Sequence, residues 1–166
     1  MNPIAALSLL QQMPKHGSWQ KAPDIIICAQ LDLPQQNVSQ SLTLWKELGY
    51  SFSIVYWNYE GSECQKGYID NAIIIAPKLS RRGPQAHTYS RVSQTHKRML
   101  AARIEITLEN THKKRILIHE LGHALGWSHN EMRGHIMHPI YQLGGWNTTG
   151  LINPTPTQED LLPSRK

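Results

Sequence analysis

The run His119-Glu120-Leu121-Gly122-His123-Ala124-Leu125-Gly126-Trp127-Ser128-His129 narrows what this chain can be more than any other feature. Helical residues four apart share one face about a turn from each other, so His119 and His123 can present two imidazoles to one ion at about 2.0 Å each. Gly126 lets the backbone leave the helix through a positive-φ conformation, and the chain then bends back so that His129 reaches a third position. Three neutral imidazoles on a zinc ion leave its fourth position open to water, which marks a catalytic rather than a structural site. Glu120, next to a ligand, is placed to act as general base toward that water. The pattern H-E-x-x-H alone is weak in a chain with nine His. The added glycine, the third histidine and the apolar helix around them make it specific.

The 166 residues suit one domain with a real hydrophobic core. Composition, 40% hydrophobic and 17% charged, excludes disordered and fibrous classes. No apolar run approaches the roughly 20 residues that cross a bilayer, so no membrane partner is expected. Ile4 to Leu10 lacks a preceding basic region and a following cleavage site, so no signal peptide is read. That leaves localisation open between an intracellular protein and a mature secreted form. Cys28 and Cys64 are too few for a disulfide scaffold; two separate, partly buried thiols are the favoured reading and one disulfide the other. The net charge of +5 is moderate. Its concentration is more telling, because Arg81, Arg82, Arg91, Lys97, Arg98 and Arg103 occur with no Asp or Glu between 81 and 103.

Periodicity predicts a short helix at Pro3 to Met13, a linker from Lys15 to Pro23, and a buried strand within Asp24 to Leu31. A helix follows over Asn37 to Leu48, capped by Asn37 or Ser39 and stopped by Gly49. Strands are expected at Phe52 to Trp57 and Ala72 to Ala76, with a turn at Cys64 to Gly67. The basic stretch reads as mostly irregular with a weak strand at Ala86 to Ser90. Arg103 to Leu108 alternates as a half-buried strand. Asn110 or Thr111 would cap the helix that carries His119, although Lys113, Lys114 and Arg115 sit where the helix dipole prefers acids. Loops follow Trp127, with one helical turn at Thr157 to Leu162.

The motif resembles the metzincin signature, a zinc-binding helix followed by a Met-turn, and within that group it is most similar to the matrixins. Ile136-Met137-His138-Pro139-Ile140-Tyr141 looks like the matrixin Met-turn and its Pro-x-Tyr segment. The resemblance implies an α+β fold with a twisted, mostly parallel sheet packed on two long helices and an irregular C-terminal subdomain. It divides the single domain of residues 1–166 into an extension (1–22), an N-terminal subdomain (23–126) and a C-terminal subdomain (127–166). It also implies a monomeric zinc endopeptidase acting on protein or peptide, with one catalytic zinc on His119, His123 and His129 and a base at Glu120. Met137 would support the metal from beneath. Pro139, Ile140 and Tyr141 would wall a large pocket for apolar side chains, and Ala86 to Ser90 would form the rim strand, with Ala86, His87 and Thr88 facing the substrate. His135 and His138 are further residues that could line the cleft. No second, structural metal is expected, since the family's His and Asp pattern is not legible between Pro77 and Thr111, and no cysteine-switch motif is present.

Three other readings compete. Glu131 instead of His129 would make a different zinc site, the basic segment would make a nucleic-acid-associated zinc protease, and a module without turnover would bind zinc and cleave nothing.

Overall fold

The computed structural model describes residues 17–154. The helical readings at Pro3 to Met13 and Thr157 to Leu162 lie outside those residues. Six strands form one sheet: β1 (Ser18–Trp19), β2 (Asp24–Cys28), β3 (Val55–Tyr59), β4 (Ala72–Pro77), β5 (Ala86–Ser93) and β6 (Arg98–Ile106). The order is β3-β2-β4-β6-β5, with β1 joining β6 beyond the end of β4. All pairings are parallel except β5 with β6.

The isoleucine runs of β2 and β4 are buried on both faces, which is why they lack polar alternation. Ile25, Ile27, Ile73, Ile75, Ile104 and Ile106 face a core shared with helices α1 (Gln35–Glu47) and α2 (Lys114–Ala124). Ile26, Cys28, Ala72, Ile74 and Ala76 pack on the opposite face with Cys64. This parity decides the cysteines. Cys28 ends β2 on the face covered by the turn Ser62–Cys64, and the two form a disulfide rather than the two thiols favoured from sequence. Arg103 occupies the same face, donating to the carbonyls of Glu63 and Cys64 and pairing with Glu105 at 2.9 Å. It therefore leaves the basic surface. Arg91 and Arg98 remain exposed, against Asp70 and Gln20.

Local readings shift for identifiable reasons. The linker contains β1, because Trp19 is buried and its indole N–H donates to the Ala124 carbonyl at 2.8 Å. β3 starts three residues later and ends two later than expected, its register set by Ile25 opposite Val55. The basic stretch is irregular up to residue 85, and the strand expected at Ala86 to Ser90 is present and runs on to Ser93; it forms an antiparallel hairpin because β6 already starts at Arg98. Leu108 falls outside β6 and is exposed. Neither helix has a side-chain cap. The Pro34 carbonyl accepts the first α1 amides, while the buried Asn37 instead donates to the Thr111 carbonyl, tying α1 to the start of α2. Asn110 turns to Thr107. Gly49 ends α1 at φ +92° as expected.

Reducing the Cys28–Cys64 bond, or replacing both residues by Ser, should lower stability by about 2–4 kcal/mol. Denaturant unfolding with and without reductant measures it; coincident curves would contradict the structural role.

Candidate metal centre

α2 presents His119 and His123 one turn apart, and the chain leaves through Gly126 at φ +102° to bring in His129. One ligand-type atom from each lies within 4.8 Å of the others. The Nε2 of His123 is 3.1 Å from that of His119 and 3.2 Å from that of His129. His119 Nδ1–H donates to the Ile136 carbonyl and His123 Nδ1–H to the Trp127 carbonyl, both at 2.8 Å. With their protons committed to carbonyls, both Nε2 atoms carry lone pairs aimed at the same point. Tetrahedral ligands about 2.0–2.1 Å from an ion stand about 3.3 Å apart, so the spacing fits a divalent cation such as zinc. Glu131 is outside this cluster and near enough only to influence His129 electrostatically.

What lies under the helix explains its position. A Cβ on Gly122 would stand 2.4 Å from Met137 Sδ and 2.9 Å from Trp45 Cζ2, so only glycine lets both side chains reach the α2 backbone. Met137 is fully buried there, beneath the residue that precedes His123. Trp45 also donates its indole N–H to the Ile118 carbonyl at 3.0 Å. His135 is buried in the turn, where its Nδ1 accepts from the Met137 amide and its Nε2–H donates to the Thr149 carbonyl. It thus shapes the Met137 turn and does not line the cleft. The glycine within the helix was the missed signal for Gly122, whereas nothing local announced the partners of His135.

Glu120 is buried, and Thr88 on β5 donates its hydroxyl to the Glu120 carboxylate at 2.5 Å. Burial pushes the Glu120 carboxyl up to about 7, with the Thr88 hydrogen bond opposing. Burial lowers His119 to about 4, against the Ile136 hydrogen bond and with His129, His135 and His138 adding to it. His129 is also lowered, mainly by burial. Each histidine shift favours the neutral, ligand-competent imidazole.

Two depressions meet at His119, Glu120, Ala86 and Pro139. One, about 360 Å³, is also lined by Ile116, Ile136, His138, Ile140 and Tyr141. The other runs along His87, Thr88 and Ser90 past His123 and His129. The site residues read from the sequence thus border this cleft, except Met137, which lies below, and His135, which is buried in the turn. Arg115 was not singled out for the site and also lines the first depression. Two of the basic residues at the start of α2 find a partner there: Arg115 stacks on the Tyr141 ring at 4.1 Å and Lys113 approaches it at 5.6 Å.

The sheet, the two helices and the histidine cluster define a metzincin-like α+β chain. Residues 85–153 match the family model for matrixin, so the matrixin likeness covers the rim strand, the zinc-type helix and the Met137 turn together. Among solved structures, metalloproteinase-II from Bacteroides fragilis is similar at 12% identity and a TM-score of 0.42, over 91% of this chain and 56% of that one. The chain thus spans little more than half of that protein's length. No curated protein matches the sequence.

Two outcomes follow from this packing. Gly122→Ala, which in an open helix would gain about 1 kcal/mol, should here cost roughly 1–3 kcal/mol through overpacking against Met137 and Trp45; a raised Tm would refute the close approach. In chelator-treated protein, Glu120 binds its proton up to about pH 7 when folded but only to its ordinary 4.5 when unfolded. Its contribution to stability is therefore full below 4.5 and lost as pH rises through 7, by roughly 3 kcal/mol. His119, with its lowered pKa, acts in the opposite sense between pH 4 and 6.5, so the Tm difference between wild type and Glu120→Gln isolates the carboxyl. Wild type should lose ground to the variant from pH 5 to pH 8, and a flat difference would count against a buried, elevated Glu120.

Proposed function

We propose that the chain is a zinc-dependent endopeptidase with Glu120 as its general base. The observation that carries this reading is the convergence of three imidazole nitrogens beside a buried carboxyl in an open cleft. His119, His123 and His129 would hold the ion, and zinc when bound supplies Lewis-acid polarisation of a carbonyl and a nucleophile available near neutral pH. Glu120 takes the proton of the attacking water on its carboxylate and passes it to the leaving amine. Thr88 fixes the carboxylate's rotamer from the rim strand, which is a positioning role.

An extended substrate would add as a strand beside β5, whose pairing within the described residues is to β6 alone. Ala86, His87 and Thr88 would then meet its backbone, while Pro139, Ile140 and Tyr141 wall the neighbouring side-chain pocket. Met137 supports the metal helix from below through Gly122. The Cys28–Cys64 disulfide favours an oxidising, extracytosolic setting over an intracellular one. A non-catalytic zinc module accounts less well for a buried carboxyl, because desolvating it is costly and a purely structural site has no use for it.

Glu120→Ala should keep zinc and lose cleavage of a mixed protein substrate by about 10²-fold or more. Zinc content should collapse in His129→Ala and persist in Glu131→Ala. Equal cleavage by wild type and Glu120→Ala would end the reading.

A further inference from the structure

The depression beside Glu120 and His119 carries a charge that an apolar specificity pocket does not need. Arg115 lines it, in a fixed pose: its guanidinium lies on the Tyr141 ring at 4.1 Å and donates Nη2–H to the Tyr141 carbonyl at 3.1 Å. Its Nη1 stands against Gly144, where an added Cβ would come within 3.1 Å. A guanidinium has five N–H donors, and one is assigned to protein here. Among the described residues no carboxylate forms an ion pair with Arg115; the two ion pairs are Arg91 with Asp70 and Arg103 with Glu105. Lys113 adds a second positive charge 5.6 Å from the same ring. The other polar side chains in the lining are the amides of Gln85 and Gln142, the imidazoles of His119 and His138 and the Tyr141 hydroxyl, and the one acid is Glu120 itself, already bonded to Thr88.

We infer that this pocket selects substrates with an acidic side chain, Glu or Asp, next to the scissile bond, and that Arg115 is the residue that determines the preference. This rests on the endopeptidase reading and replaces the apolar preference expected from the family resemblance. The Tyr141 ring covers the face of the guanidinium and its carbonyl takes one Nη2–H; the N–H donors left in the plane are the charged, directional partners that a carboxylate accepts from. Stacking also holds the group in place, so little side-chain freedom is lost on binding. Ile116, Ile136 and Ile140 supply the apolar wall for the substrate's methylenes. An aliphatic side chain would fill that wall but leave the guanidinium without its partner.

The test is a set of peptides with Glu, Gln, Leu or Lys on either side of one cleavable bond, with products identified by mass spectrometry. Wild type should cut the Glu peptide with a kcat/KM at least about 10-fold above its neutral isostere Gln, and above Leu and Lys. In Arg115→Gln the Glu-to-Gln ratio should fall to near one, and in Arg115→Lys to an intermediate value. Ratios within one variant cancel any loss of folded enzyme. Wild type that favours Leu, or fails to separate Glu from Gln, overturns the inference, as does an unchanged ratio in Arg115→Gln. If no peptide is cut above the Glu120→Ala background, the endopeptidase reading itself has failed; cleavage without acidic preference removes this inference alone.

Discussion

Imidazole lone pairs 3.1 and 3.2 Å apart repel each other unless a cation lies between them, and the structure around α2 is arranged to hold them there. Two backbone carbonyls, from Ile136 and Trp127, take the Nδ1 protons and so turn the Nε2 atoms inward. Both carbonyls belong to the chain beyond the helix, which means the exit through Gly126 and the Met137 turn must be placed before the ligands can be oriented. His135 closes that turn with two hydrogen bonds, and Met137 locks it against Gly122. Metal affinity and the packing of the C-terminal segment are therefore two aspects of the same constraint.

The sheet meets this constraint from the other side. Its parallel centre is buried on both faces, leaving β5 as the strand that can face a cleft. Thr88 on that strand reaches Glu120 on α2, so the sheet edge and the buried carboxyl share a hydrogen bond. On the far face, the disulfide and Arg103 fasten the turn Ser62–Cys64 over β2, β4 and β6. A buried arginine in that position is satisfied by carbonyls and by Glu105, which spares the protein an uncompensated charge.

Charge in the cleft is unevenly distributed. Glu120 is desolvated, which without a bound ion raises its carboxyl to about 7, while Lys113 and Arg115 stand at the N-terminal end of the same helix, where the dipole disfavours cations. Tyr141 offsets that cost through its ring and its carbonyl. The helix start is thus fastened to the segment Pro139–Tyr141, and Arg115 becomes part of the lining of the depression beside Glu120.

The histidine cluster, the carboxyl beside it and the helix that carries them were legible because each depends on spacing along one local stretch, from His119 to His129. The isoleucine strands and α1 were legible because burial on two faces, or on one helical face, leaves a direct mark on composition. Only tertiary structure paired Cys28 with Cys64, since the pairing follows from which face of β2 the residue occupies and from the turn that covers that face. It also moved Arg103 from surface to interior, joined the basic stretch into a hairpin, and gave Asn37 a partner 74 residues away in place of a capping role. Gly122, His135 and Arg115 acquire their meaning from groups distant in sequence, and a residue's neighbours across space are set by packing that no short window of the chain encodes.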